Sequence, residues 1–288
     1  MPDPRFFVTG ASGQLGRLVV SALAERAGPE AVAAIVRDPA ASAARFPAGV
    51  AIRRGDYEQP DSLDAAFAGA ERLLLISSNA LGDRVAQHRN AIEAARRAGV
   101  ARIAYTSVLH APVSKLGLAE EHRQTEALIE ASGIPFTLLR NGWYTENYTA
   151  SISPALQHGA FVGSTRDGRI SSAARPDYAE AAAVALLGDA DSRAVHELAG
   201  DDSYTLAEFA AELSRQAGRQ IPYVDLPEAE YRAALVGAGL PAALAALLAD
   251  SDAAAAHGAL FDDSRALSRL IGRPTTRFAA TIGEALEA

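Results

Sequence analysis

The sequence predicts an α/β fold: a Rossmann-type doubly wound parallel sheet with a smaller, mainly helical C-terminal lobe. Three observations predict it. A glycine-rich turn joins an apolar strand to an amphipathic helix near the N-terminus, short apolar strands alternate with helical patterns as far as Asn141, and Ala/Leu-rich helix dominates the rest. Short apolar strands suit a parallel sheet, because crossover helices bury both of its faces.

The turn reads Phe6-Phe7-Val8-Thr9-Gly10-Ala11-Ser12-Gly13-Gln14-Leu15-Gly16. Phe6 to Val8 supply the strand. Gly10 permits a tight turn, Gly13 lets a backbone approach a pyrophosphate, and Gly16 lets the helix pack on the strand. A helix starting near Gln14 aims its unpaired N–H groups and positive dipole end at the ligand's charge. The spacing is Gly-x-x-Gly-x-x-Gly, a departure from the common Gly-x-Gly-x-x-Gly fingerprint. Thr9, Gly10, Ser12, Gly13, Gln14, Leu15 and Gly16 are thus candidates for holding a dinucleotide. The alternative is an ordinary Gly-rich strand-to-helix turn.

Further strands are predicted over Val32–Val36, Val50–Arg53, Arg72–Ser77, Arg102–Ser107 and Pro135–Arg140, with helices over Pro60–Ala68, Asp83–Ala98 and Leu118–Ser132. Gly99 and Gly133 stand where helix C-terminal caps belong. Pro176-Asp177-Tyr178 opens another helix, and Val195–Ala199 reads as a late strand returning to the sheet. Pro241–Ala256 reads as a packing helix. The expected division is a dinucleotide-binding domain over 1–150, joined by the strand near 195–199, and a substrate-covering lobe over 151–288.

Composition excludes several chemistries. The chain has no cysteine, hence no disulfide, thiolate metal site or cysteine nucleophile. Its six histidines show no paired ligand spacing, so no metal is expected. The formal charge of −8 with scattered arginines argues against nucleic acid as a partner. No apolar run reaches membrane-spanning length and the start lacks a signal-peptide pattern, so a cytoplasmic protein is expected. The oligomeric state is not legible.

Lys115 is the one lysine, and Ala111 stands four residues before it. The Tyr-x-x-x-Lys dyad of short-chain dehydrogenases is therefore absent.

Arg37 follows the second strand, where an acidic residue would grip a ribose 2′-hydroxyl; a cation there favours the 2′-phosphate of NADP. Asp38-Pro39 reads as a helix cap and first-turn proline, which leaves Arg37 available. Asp56 and Tyr57 end the third strand as candidates for the adenine end, Asp56 being equally suited to a turn. Ser77, Ser78, Thr106 and Ser107 end the fourth and fifth strands, at the rim where such sheets bind ligands. His110 lies just beyond. Glu120 and Glu121 read as a solvated helix face. In Asn141-Gly142-Trp143-Tyr144, Asn-Gly is a turn signal, while Trp143 and Tyr144 offer flat faces for a planar acceptor that Asn141 would orient.

Thr9 to Gly16, Ala34-Ile35-Val36-Arg37, Leu73 to Ser78, Ala104-Tyr105-Thr106-Ser107, Leu138 to Asn147 and Leu260-Phe261-Asp262-Asp263-Ser264 together resemble the type 2 NAD(P)H:quinone oxidoreductases. These are flavin-free members of the NmrA-like group of atypical short-chain dehydrogenases. The resemblance implies NADPH as cofactor and a quinone as small-molecule substrate. It implies that the glycine turn and Arg37 hold the adenosine end, Ser77 and Ser78 the middle, and the Asn141 to Tyr144 segment the nicotinamide and acceptor. Related plant reductases carry a catalytic lysine on the helix before the sixth strand; here that neighbourhood holds His122. Relatives in the same group reduce triphenylmethane dyes, and NmrA itself is a regulator that binds dinucleotide without turning it over. Both remain alternatives to quinone reduction at this point.

Overall fold

The computed structural model describes residues 3–80, 82–188 and 193–287. In chain order its elements are β1 (Phe6–Val8), α1 (Gln14–Ala27), β2 (Val32–Val36), α2 (Pro39–Ser42), β3 (Ala51–Arg54), α3 (Pro60–Ala66), β4 (Arg72–Leu75), α4 (Arg84–Arg97), β5 (Arg102–Val108), α5 (Ala119–Ser132) and β6 (Phe136–Asn141). There follow α6 (Thr145–Thr149), α7 (Ile152–His158), β7 (Phe161–Gly163), α8 (Arg175–Leu187), β8 (Arg193–Leu198), α9 (Leu206–Ala217), β9 (Tyr223–Asp225), α10 (Glu228–Gly237), α11 (Ala242–Ala255), α12 (Ala266–Ile271) and α13 (Phe278–Glu287).

One sheet carries the strands in the order β3-β2-β1-β4-β5-β6-β8, and its pairings from β3 through β6 are all parallel. This is the doubly wound α/β fold the sequence predicts, with the strand order reversing between β1 and β4. Ligands of open α/β sheets bind beyond the strand ends at such a reversal. Strand boundaries shift slightly. The fourth strand stops at Leu75, short of Ser77, because the N–H groups of Ile76, Ser77 and Ser78 pair with side chains instead of a neighbouring strand.

The chain divides into two compact units. The first comprises the residues up to Ala111, Glu120–Asn141 and Arg175–His196. Strand alternation sorts its core. Phe7, Ala33, Ile35, Leu73, Leu75, Ile103, Tyr105, Phe136 and Leu138 form one cluster with Leu63, Ala91, Ile92, Ala95 and Ile129 from α3, α4 and α5. α1 and α8 pack on each other, and α8 also packs on β4, β5 and β6. At its C-terminus α8 is capped by Arg72 Nη1, which donates to the carbonyls of Leu186, Leu187 and Gly188 at 2.8–2.9 Å. A cation there answers the negative end of the helix dipole. Asp38 caps α2, accepting from the Ala41 N–H at 3.0 Å with Pro39 in the first turn.

The second unit comprises Pro112–Ala119, Gly142–Ala174 and the residues from Glu197 on. β7 and β9 pair parallel there, and Phe161, Tyr204, Phe209 and Phe278 pack as an aromatic core. A capping box of Thr205 and Glu208 starts α9. On α11, buried Asp252 accepts from the Ser164 N–H at 3.0 Å and from the Tyr148 hydroxyl at 3.3 Å. Burial pushes its carboxyl up to about 7.

Candidate functional site

The glycine turn forms as the spacing requires. Gly10 takes a left-handed φ of 58°, and the Gly13 N–H closes on the Gly10 carbonyl at 3.0 Å. A Cβ on Gly16 would lie 2.4 Å from the Gly10 carbonyl oxygen, and one on Gly13 would lie 3.2 Å from it. Gly10, Gly13 and Gln14 are exposed, Ser12 half-buried, and Leu15 and Gly16 buried. Gly13 is the N-cap of α1 and brings no capping side chain, and the first turn carries no acid. The start of α1 is therefore open to an anion. The Ala11 N–H donates to the Ile35 carbonyl at 3.3 Å, which ties this turn to the end of β2. Arg37 is exposed there.

Thr9 is wholly buried. Its hydroxyl donates to the Leu74 carbonyl and receives the Ile76 N–H, both at 3.0 Å, bracing β1 against β4 at the order reversal. The Tyr57 hydroxyl lies 2.6 Å from Thr9 Oγ1 and 2.8 Å from the Ile76 carbonyl, a choice of two acceptors for one proton. Burial raises the Tyr57 phenol above its usual range. Asp56 takes the turn role: its Oδ1 accepts from the Glu58 N–H at 3.1 Å.

The two hydroxyls that adjoin on β5 point to opposite faces of the sheet. Thr106 Oγ1 receives the Ser77 N–H at 2.8 Å, so these two residues meet at the rim. Ser107 faces α5 instead and donates to Glu126 Oε1 at 2.5 Å, while Arg140 holds Glu126 through both carboxylate oxygens. Ser78 is half-buried, with its N–H on His88 Nε2 at 3.0 Å.

Asn141 lies opposite Val108 in the β5–β6 register and is buried. Its carbonyl accepts from the Leu109 N–H at 2.9 Å, but its side-chain Oδ1 has no hydrogen-bond partner. A buried amide oxygen left so costs free energy that a ligand donor recovers. His110 follows Leu109 in a turn, half-buried and with a φ of 54° that is uncommon outside glycine. In the second unit, Trp143 is buried and Tyr144 half-buried. Their segment is hung on Ala173, which donates to the Trp143 carbonyl and accepts from the Thr145 N–H. Behind it runs a hydroxyl chain, Thr145 to Ser172 at 2.8 Å and Ser172 to Tyr204 at 2.5 Å.

Sequence reading missed a polar layer under the rim. Glu121, expected to be solvated, accepts from Arg84 Nη1 and from the Gly82 N–H, both at 2.9 Å. Arg84 also donates through Nε to the Ser78 carbonyl at 2.8 Å. His122, buried on α5, lies 2.7 Å from the Tyr105 hydroxyl, and burial holds its imidazole well below the usual pKa. An available signal was the placement of polar His88 and Arg84 at helical spacing on the buried side of α4. Among the described residues, no group of three or more His, Asp or Glu is arranged to hold a metal ion, and no helix is long and apolar enough to cross a membrane.

The residues fit a dinucleotide. The open helix start leaves room for phosphates with no Cβ in the way, the exposed Arg37 suits a further phosphate, and the unpartnered Asn141 oxygen suits an amide or hydroxyl donor.

Comparison with known proteins agrees. Residues 10–187 match the NAD(P)H-binding family. The chain is 51% identical over 275 residues to quinone oxidoreductase 2 of Escherichia coli, covering 96% of each. It superposes on the E. coli NADPH-dependent quinone oxidoreductase complexed with NADPH with a TM-score of 0.93, at 50% identity over 98% of this chain and 99% of that one. On the triphenylmethane reductase of Citrobacter sp. complexed with NADP(H), the TM-score is 0.92 at 35% identity, over 97% and 99% of the two chains. With its glycine turn, sheet order and whole-length likeness in agreement, this chain belongs to the NAD(P)H-binding family, in the branch of quinone oxidoreductase 2.

Proposed function

We propose that this chain is an NADPH-dependent, flavin-free reductase of quinones, acting in the cytoplasm on a diffusible small molecule. The observation that carries this reading is the likeness to quinone oxidoreductase 2 along essentially the whole of both chains. The open glycine turn supports it independently.

In this reading Gly10, Ser12, Gly13, Gln14, Leu15 and Gly16 shape the phosphate site, with Thr9 bracing it from below. Arg37 takes the 2′-phosphate, Asp56 and Tyr57 border the adenine, and Ser77 and Ser78 border the middle of the dinucleotide. NADPH, when bound, supplies the hydride that with a proton from water takes a quinone to the hydroquinone. Asn141 orders the reacting groups, because its amide carries both a donor and an acceptor. Thr106 accepts from Ser77 and keeps its own proton to give to a developing oxyanion. Ser107, which faces α5 and gives its proton to Glu126, is not the hydroxyl placed to do this. Trp143 and Tyr144 offer flat faces to the planar acceptor, and His110 is a separate candidate for binding it. A quinone is electrophilic enough that orientation supplies most of what the protein must add, so the missing Tyr-x-x-x-Lys dyad is tolerated.

The test follows NADPH consumption by the purified protein with benzoquinone, a naphthoquinone and a triphenylmethane dye. Turnover that depends on quinone and falls in Asn141→Ala while NADPH still binds is expected. Tight NADPH binding without turnover of any acceptor overturns it in favour of a dinucleotide-sensing regulator, and preference for the dye reassigns the substrate.

A further inference from the structure

The turn after β4 owes its conformation to side chains. The Ser77 N–H goes to Thr106 Oγ1, the Ser78 N–H to His88 Nε2 and the Ser78 carbonyl to Arg84 Nε, so no sheet ladder holds it. His88 is completely buried. A histidine on the core side of a helix costs desolvation that an aliphatic residue would not, unless its nitrogens are used. Both are used, and in one sense only. Because the Ser78 N–H donates to Nε2, that nitrogen is the acceptor and the ring proton sits on Nδ1. Nδ1 then donates to Thr125 Oγ1 at 3.0 Å, and Thr125 donates in turn to the Glu121 carbonyl at 2.8 Å. Tyr57 and Tyr105 meet the ring edge-on at centroid distances of 5.9 and 5.5 Å and fix its plane.

We propose that His88 is a positioning residue for the cofactor: its Nε2 lone pair, fixed by the Thr125 relay, holds the Ser77–Ser78 turn in the form that meets the dinucleotide. The inference rests on the reading of Ser77 and Ser78 as dinucleotide neighbours. A protonated ring would set an N–H donor against the Ser78 N–H donor and release the turn. The groups around the ring oppose that. Arg84 on its own helix is cationic, Tyr57 and Tyr105 are buried phenols, His122 on α5 is held neutral, and the Glu121 carboxylate is bound to Arg84. Burial and Arg84 bring the imidazole down to about 3.

Two isosteres separate positioning from mere packing. Gln places its amide oxygen near the Nε2 position and keeps an acceptor for Ser78, whereas Asn reaches only the Nδ1 position and leaves the Ser78 N–H unmet. NADPH affinity is measured by quenching of Trp143 fluorescence, first for the unaltered protein and then for both variants at a temperature where each is folded. His88→Gln is expected to recover affinity to within about threefold, and His88→Asn to weaken it about tenfold or more. Equal affinities for the two variants overturn the proposal. Should His88→Asn fail to fold, nitrogen chemical shifts of isotopically labelled histidine in the unaltered protein decide. The proton on Nδ1, unchanged between about pH 5 and pH 8, is expected; a proton on Nε2, or titration in that range, overturns the proposal. If the unaltered protein binds no NADPH, the functional reading fails by itself, and the histidine spectrum still reports on the fixed ring.

Discussion

Ser107 gives its hydroxyl proton to Glu126 across 2.5 Å, and Glu126 is at the same time gripped by Arg140, so a buried carboxylate carries three hydrogen bonds between β5, α5 and β6. Removing the centre of such an arrangement takes away the carboxylate that the part-buried Arg140 guanidinium and the Ser107 hydroxyl both bond. Glu126→Ala is expected to cost about 3–5 kcal/mol of stability, against about 1 kcal/mol for Ser107→Ala. Urea unfolding of the two variants checks the ranking.

Asn141 predicts the reverse pairing of effects. Its side-chain oxygen already lacks a partner, so Asn141→Ala forfeits no internal hydrogen bond through that atom. The melting temperature is expected to change little while quinone turnover falls by about tenfold or more. Calorimetry and steady-state kinetics on the same preparation test this.

Arg37 is exposed at the end of β2, to which the glycine turn is tied through the Ala11 N–H. Arg37→Asp is expected to weaken NADPH binding by about tenfold or more and NADH binding far less, since a charge-assisted contact to a phosphate is lost. Equal losses for the two nucleotides would remove the assignment.

Gly16→Ala places a methyl group 2.4 Å from the Gly10 carbonyl oxygen and 2.7 Å from the Ala11 Cα, both of them backbone. The turn must shift, at a cost of about 1–3 kcal/mol. A lower melting temperature is expected together with weaker NADPH binding.

Asp252 makes stability depend on pH. Its folded-state carboxyl titrates near 7 against an ordinary 3.8, so the folded chain binds the extra proton between those values. Stability is fully present below the lower value and is lost as pH rises through the upper one, with a slope approaching about 1.4 kcal/mol per pH unit. Denaturation between those limits is expected to show this contribution, and Asp252→Asn to remove it.

The sheet was legible because most of its strands are short apolar runs bounded by turn residues, and alternation with helices leaves few topologies. Asp38-Pro39 was legible too, since a cap is a local arrangement of side chain and backbone. Alternation puts Thr106 and Ser107 on opposite faces, but which of the two meets the rim and which meets α5 needs the strand's phase, which local reading does not supply. The His88–Thr125 and Arg84–Glu121 contacts lie beyond it for another reason. Each joins α4 to α5 across 37 residues, and their meeting depends on how those helices seat against each other on the sheet. Glu121 therefore looked like one more surface acid.

The Arg72 guanidinium closes over the last carbonyls of α8, a helix that belongs to the first unit although its residues follow β6 by more than thirty positions. During synthesis the nascent chain thus emerges with the apolar side of α1 bare until the ribosome has released α8. Domains fold as units while the chain is synthesised at about 5–20 residues per second, so that side of the sheet waits seconds for its cover. A fragment ending at Asn141 would carry the glycine turn and lack the helix that packs on α1, which makes the cofactor-binding part of this protein inseparable from sequence that lies well beyond it.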